Sequence, residues 1–300
     1  SGAQLNYTEH ALSRNDAHTA IEFRNEDGAA RTLSYRDLYH QVASVASGLR
    51  RLGVMQGDRV AAYIPNIPEA VVAFLATASI GAVWSSCSPD FGARNVIDRF
   101  QQIKPTVLIT VDGYHYNGKV FDCRETSSEI QRNLPSLKAI VLVPYLNAWQ
   151  SSEKLTHTTN WDQLLGENVP LTFTAVPFDH PLWVLYSSGT TGVPKAIVQS
   201  HGGILIEHLK AISLHLNLTD EDRFFWFTTT GWMMWNFLVG GLLHGMTIVL
   251  YDGSPAYPDM NAIWRLVEDA GVTYFGTSAP FISACMKAGV EPGRDCDLTA

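Results

Sequence analysis

The sequence predicts an α/β fold with mainly parallel sheet, and three observations carry that expectation. Apolar runs of strand length alternate with longer helical stripes along most of the chain. An apolar fraction of 46% against a charged fraction of 17% is the balance of a globular protein with a sizeable core. No internal repeat or low-complexity tract breaks the alternation, and 300 residues make one large domain or two modest ones.

The first elements are marked by their ends. Runs 21–24 and 31–33 flank Asn25-Glu26-Asp27-Gly28, a hairpin signal whose glycine accepts positive φ. Ser34 caps a helix over 35–52, with Leu38, Val42, Val45, Leu49 and Leu52 on one stripe, and Gly53 ends it. Gly57-Asp58 turns into a strand at 59–64, and Pro68 sits in the first turn of a helix reaching Ile80. The pattern continues with strand 82–87, helix 93–103, strand 106–110, a more polar helix 119–134 and strand 139–146. Residues 147–160, rich in Ser and Thr, read as an exposed insertion without regular structure. Strands at 183–186 and 196–199 follow, then helix 203–216, strand 223–228, helix 232–244, strand 247–251, helix 259–270, strand 272–276 and helix 280–288. Periodicity alone does not order the strands.

Composition excludes several function classes. The 29 acids and 21 bases are scattered and give a net charge of −8, which argues against a nucleic-acid surface. The four cysteines show no CxxC spacing, so neither a zinc site nor a disulfide framework is expected, and reduced thiols in a cytoplasmic protein are the default. The longest uncharged run, 70–89, carries Thr77, four serines and Gly81 and lacks the unbroken apolar character of a membrane span. The chain opens on Ser-Gly-Ala rather than Met and stops with no closing element, as a piece cut from a longer protein would.

The densest chemistry lies at 187–195. After an apolar strand, Ser187, Ser188, Gly189, Thr190, Thr191 and Gly192 are all glycines or hydroxyl carriers, and Lys195 closes the loop. Glycine lets backbone N–H groups approach an anion, hydroxyls add rotatable donors, and lysine supplies a point charge. This predicts a phosphate cradle. It is not a GxxxxGK[ST] loop, because Ala196-Ile197-Val198 favours strand where that motif needs a helix. An ordinary Ser/Thr/Gly surface turn is the plainer alternative.

Two further clusters stand out. His201, His208 and His215 recur every seven residues on one expected helix. Positions seven apart lie about 10.5 Å apart along the axis, too far for one ion, so packing or surface roles are expected. Trp232, Met233, Met234, Trp235 and Asn236 open another helix. Plain core packing explains such a cluster, and so does a pocket with apolar walls and one polar group. Asp252-Gly253-Ser254-Pro255 reads as a structural turn, and Thr277-Ser278 sits past a strand where open α/β sheets place ligands.

Residues 186–195, YSSGTTGVPK, resemble the signature loop of the adenylate-forming superfamily, which includes acyl-CoA synthetases, luciferases and peptide-synthetase adenylation domains. Residues 230–258, TGWMMWNFLVGGLLHGMTIVLYDGSPAYP, are similar to the short-chain CoA ligases within it, above all those that activate acetoacetate. The resemblance covers nearly the whole chain. It implies two stacked, doubly wound, mainly parallel sheets with flanking helices, as an incomplete AMP-binding N-terminal domain over 1–300. One subdomain would span about 41–203, a second about 1–40 plus 204–300, and the C-terminal lid domain would be absent.

The implied activity is ATP-dependent ligation of acetoacetate to CoA through an acyl-adenylate, with ATP, Mg2+ and CoA as cofactor and substrates. The resemblance assigns Ser187–Gly192 and Lys195 to the phosphates and Ser187 also to Mg2+. It assigns Trp232, Met233, Met234 and Asn236 to the acyl pocket, where a buried ketone needs a donor from Asn236 or an indole N–H. No catalytic residue is assigned within the chain, and the chain alone is expected to be inactive. Partners are small molecules, with neither nucleic acid nor membrane. Open alternatives are an acetate or propionate ligase, an adenylation enzyme serving a carrier protein, and a nucleotide-binding module without catalysis.

Overall fold

The computed structural model describes residues 2–146, 155–166, 169–187, 192 and 194–299. Two sheets carry the fold among these residues. A seven-stranded sheet runs in the spatial order Thr158–Asn160, Ala139–Val143, Val107–Val111, Arg59–Tyr63, Val83–Cys87, Pro181–Ser187, Lys195–Ser200. All neighbours are parallel except the last pair. A five-stranded sheet follows the order Tyr274–Gly276, Arg223–Trp226, Thr247–Asp252, Thr19–Asn25, Ala30–Ser34, again parallel except for its final hairpin.

Alternation along the strands of the smaller sheet shows how it is buried. Phe224, Ile248 and Leu250 belong to the main core shared with the larger sheet. Phe225, Val249 and Tyr251, their neighbours in sequence, face a second cluster with Ile263, Trp264 and Phe281. Successive side chains point to opposite faces, so this sheet is covered on both.

Most elements appear where the sequence places them. Ser34 caps the helix Tyr35–Arg51 in a capping box with Asp37, and Leu38, Val42, Val45 and Leu49 are buried. Pro68 opens the helix Pro68–Ser79, and Ala93–Ile103 has the expected bounds, with Val96, Ile97 and Phe100 buried.

Three segments differ. The polar helix expected at 119–134 begins only at Arg124. Before it, Gly113–Tyr116 and Lys119–Asp122 form a hairpin whose turn residues Asn117 and Gly118 both have positive φ, the mirror-image turn that matches strand twist. Second, residues 158–160 are the parallel edge strand of the large sheet rather than part of a structureless insertion, with Leu155 buried beside them. Residues 147–154, the rest of that expectation, lie outside the described residues. Third, the helix from His201 widens into π-turns over Lys210–His215, and the helix from Met233 tightens into 3-10 turns over Gly240–His244.

Candidate functional site

The phosphate-loop expectation resolves into a hairpin. Strands Pro181–Ser187 and Lys195–Ser200 are antiparallel, with Ser187 directly opposite Lys195. Directly opposed residues project from the same face with Cβ atoms roughly 5 Å apart. A hydroxyl and an ammonium therefore stand together at the base of the loop. Lys195 is exposed, and no carboxylate among the described residues pairs with it. Gly192 has φ of 101°, a conformation that favours glycine. Ser188, Gly189, Thr190 and Thr191 lie outside the described residues.

The helix Ala93–Ile103 steadies both ends of this loop. On one side the Tyr186 hydroxyl donates to the Arg99 carbonyl at 2.9 Å, and the Arg99 guanidinium sits 5.8 Å from the Tyr186 ring centre and 4.9 Å from that of Phe91. On the other, Gln102 Nε2 donates to the Pro194 carbonyl at 2.9 Å. These contacts join residues about ninety positions apart, and no local pattern announces them.

Aromatic packing links the loop strand to the Trp-Met cluster. Trp183 pairs in register with Trp84, and the rings of Phe74 and Trp84 both pack on Trp235. Trp235 Nε1 donates to Asn66 Oδ1 at 3.0 Å. Trp235 is thus a core residue, which follows the plain reading for that position. The two residues at the start of the helix differ: Trp232 is 45% and Met233 49% exposed. Met234 is intermediate, and Asn236 is buried with neither Oδ1 nor Nδ2 bonded. The loop before the helix is tied to the larger sheet, because Ser86 Oγ donates to the Thr230 carbonyl at 2.7 Å and Thr230 Oγ1 to the Ile64 carbonyl at 2.6 Å.

A narrow cleft of about 80 Å³ opens at the C-terminal ends of strands from both sheets. Asn66, Asp90, Tyr114, Thr228 and Asp252 line it. Such crevices, where strand order reverses, are the usual ligand position in open α/β sheets. Asp252 was expected to be a turn residue. Desolvation first, with the neighbouring carboxylates of Glu26, Asp27 and Asp90, pushes its carboxyl up to about 7, although the Tyr145 hydroxyl donates to it at 2.9 Å. Only the convergence of separate segments on Asp252 produces this shift, so the sequence held no signal for it. The Thr277 hydroxyl, past the strand Tyr274–Gly276, is buried without a partner.

The histidines behave as packing and surface residues. His201 and His208 are buried, and His215 is exposed. His201 Nδ1 accepts from the Tyr7 amide at 3.1 Å, and His208 Nδ1 lies 3.4 Å from the Tyr7 hydroxyl. No three metal-ligating side chains cluster among the described residues.

A family profile described as AMP-binding enzyme matches residues 8–298. The chain belongs to the AMP-binding enzyme family. The acetoacetyl-coenzyme A synthetase of Rhizobium meliloti (strain 1021) is 45% identical over 305 residues, covering 99% of this chain and 46% of that protein. The malonamoyl-CoA synthetase of Penicillium aethiopicum is 38% identical over 307 residues, covering 94% of this chain and 42% of its own length. Among solved structures, acetoacetyl-CoA synthetase from Streptomyces lividans superposes with a TM-score of 0.95 at 56% identity, over 100% of this chain and 46% of that one. The chain spans less than half the length of these AMP-binding relatives. Among the described residues no helix is long and apolar enough to cross a membrane.

Proposed function

We propose that the full-length protein ligates acetoacetate to CoA at the expense of ATP. The substrate carboxylate attacks the α-phosphorus, pyrophosphate leaves, and the CoA thiol then displaces AMP from the acyl-adenylate. One observation carries this reading: Ser187 and Lys195 stand side by side at the base of a glycine- and hydroxyl-rich hairpin. The strand leading into that hairpin packs through Trp183, Phe74 and Trp84 onto the helix that bears Trp232, Met233, Met234 and Asn236. We assign the phosphate donors and the acyl pocket to these two packed elements, since transfer of a short acid to a nucleotide requires the two reactants to be held together.

The loop residues Ser187–Gly192 and Lys195 would hold the β- and γ-phosphates as negative charge passes to the departing pyrophosphate. Mg2+ would arrive with the nucleotide and offset the triphosphate charge. Ser187 is the side-chain oxygen in this chain that we assign to it. We assign the two layers as subdomains of about 41–203, and of about 1–40 with 204–300. A soluble cytoplasmic location fits an enzyme of small-molecule substrates.

The relatives' named acyl groups narrow the substrate chemistry. Acetoacetyl and malonamoyl groups both carry a carbonyl at C3, and they differ there only in methyl against amino. We therefore assign this protein to short acids with a 3-carbonyl.

The test is ATP–pyrophosphate exchange by the full-length protein with acetoacetate, acetate and propionate. Exchange should depend on acetoacetate, and Lys195→Ala should lower it by about 10²–10³-fold. Equal rates with acetate would move the assignment to another short-chain ligase. An unimpaired Lys195→Ala variant would remove the phosphate role.

A further inference from the structure

We propose that Gln102 is a positioning residue for Lys195: its side-chain amide fixes the peptide plane between Pro194 and Lys195 and so aims the Lys195 ammonium. This rests on the phosphate reading above and names what holds the lysine of that site in place.

Lys195 stands exposed at the start of the strand Lys195–Ser200, directly opposite Ser187. Pro194, the residue before it, has no N–H to add to the ladder. Its carbonyl, however, belongs to the same planar unit as the Lys195 amide. Whatever holds that oxygen therefore also sets the direction from which the Lys195 side chain departs. Gln102 Nε2 holds it, donating at 2.9 Å.

The surroundings make this contact a fixed one. A side-chain amide nitrogen carries two hydrogens, and the second goes to the Asp98 carbonyl, one turn back on the same helix, at 2.8 Å. The Gln102 amide is thus held from two sides. Three residues before it, on the same helix face, the Arg99 carbonyl accepts from the Tyr186 hydroxyl at 2.9 Å. Tyr186 is the neighbour of Ser187, as Pro194 is the neighbour of Lys195. One turn of the helix Ala93–Ile103 therefore holds both strands immediately beside the two opposed residues. Gln102 is itself exposed, so burial does not account for its placement.

Aim matters because lysine is a compact charge on a flexible four-carbon stem. Its worth to a departing phosphate depends on where the ammonium stands as charge develops there. Freeing the Pro194 carbonyl leaves the charge in place and removes its direction.

The experiment measures ATP–pyrophosphate exchange with acetoacetate in the full-length protein as wild type, Gln102→Met, Lys195→Ala and the double variant. Methionine matches glutamine in length and helix propensity and has no N–H to donate. Gln102→Met should lower exchange by about threefold to tenfold, the range of one net hydrogen bond, with the KM for acetoacetate unchanged. In the Lys195→Ala background the same change should alter exchange by less than about twofold, since a residue acting through Lys195 has nothing left to aim. Trypsin cuts after lysine. Its cleavage at Lys195 without nucleotide should quicken by a similar factor in Gln102→Met, while the melting temperature stays that of wild type. A several-fold loss in both backgrounds, or unchanged cleavage at Lys195, overturns the inference. Wild-type exchange by Gln102→Met beside an impaired Lys195→Ala also overturns it and leaves the phosphate reading intact. An unimpaired Lys195→Ala removes the phosphate role, and this inference with it.

Discussion

Asp252, His201 and His208 give the protein opposing responses to pH. Burial holds His201 near 3 and His208 near 4, against an ordinary value of 6.5, so both stay neutral in the folded state. Their contribution is fully present above pH 6.5 and is lost as pH falls toward those folded values. Asp252 has the opposite sign: its folded value of about 7 lies above 3.8, so the stability it lends is full below 3.8 and is lost as pH rises toward 7. Between about pH 4.5 and 6.5 the aspartate thus offsets roughly one of the two histidine protons. Asp252→Asn keeps an acceptor for Tyr145 and removes the titration. It should steepen the rise of unfolding free energy with pH by about 1.4 kcal/mol per unit in that window. Urea unfolding at several pH values would show it, and parallel curves for the two proteins would refute it.

At the scale of elements, legibility followed the locality of the signal. The helix Tyr35–Arg51 is announced by its cap, its apolar stripe and Gly53, all within twenty residues, and the structure reproduces each. The hairpin at 113–122 carries no period-two signal, because its second strand, Lys-Val-Phe-Asp, sets two apolar residues side by side between charged ones and leaves all four exposed. Its one local signal, Asn117-Gly118, outweighed helical pattern. Gly118 has φ of 71°, and a Cβ there would lie 2.7 Å from Tyr257 Cε2. Gly118→Ala should therefore cost about 1–3 kcal/mol through the left-handed conformation and the displaced ring. An unchanged urea midpoint would mean that the turn relaxes freely.

For the whole molecule, one carboxylate joins parts of both sheets. Glu26, in the hairpin turn of the smaller sheet, accepts from the amides of Asn117, Gly118 and Ser254, each at 2.8 Å. The first two belong to the arm that follows the large-sheet strand Val107–Val111. His115 and Asp27 pair alongside. Glu26 is only partly buried, so solvent screening limits its worth. Glu26→Ala should destabilise by about 1–2 kcal/mol and raise hydrogen exchange at 117–118 more than in the distant helix Ala262–Asp269. Uniform exchange across both regions would show that the contact is incidental.

By itself the sequence determined the α/β class and the helices Tyr35–Arg51, Pro68–Ser79 and Ala93–Ile103, because caps, stripes and first-turn prolines act within a few residues of one another. The lone Asn236 was visible, but its orphaned state was not. Strand order, the pairing of Ser187 with Lys195, the hold of Arg99 and Gln102 on the loop, and the raised Asp252 carboxyl were decided only by the tertiary structure. Each depends on which distant segments come to share a sheet edge or a desolvated crevice, and periodicity records which face a residue shows, not what that face will meet.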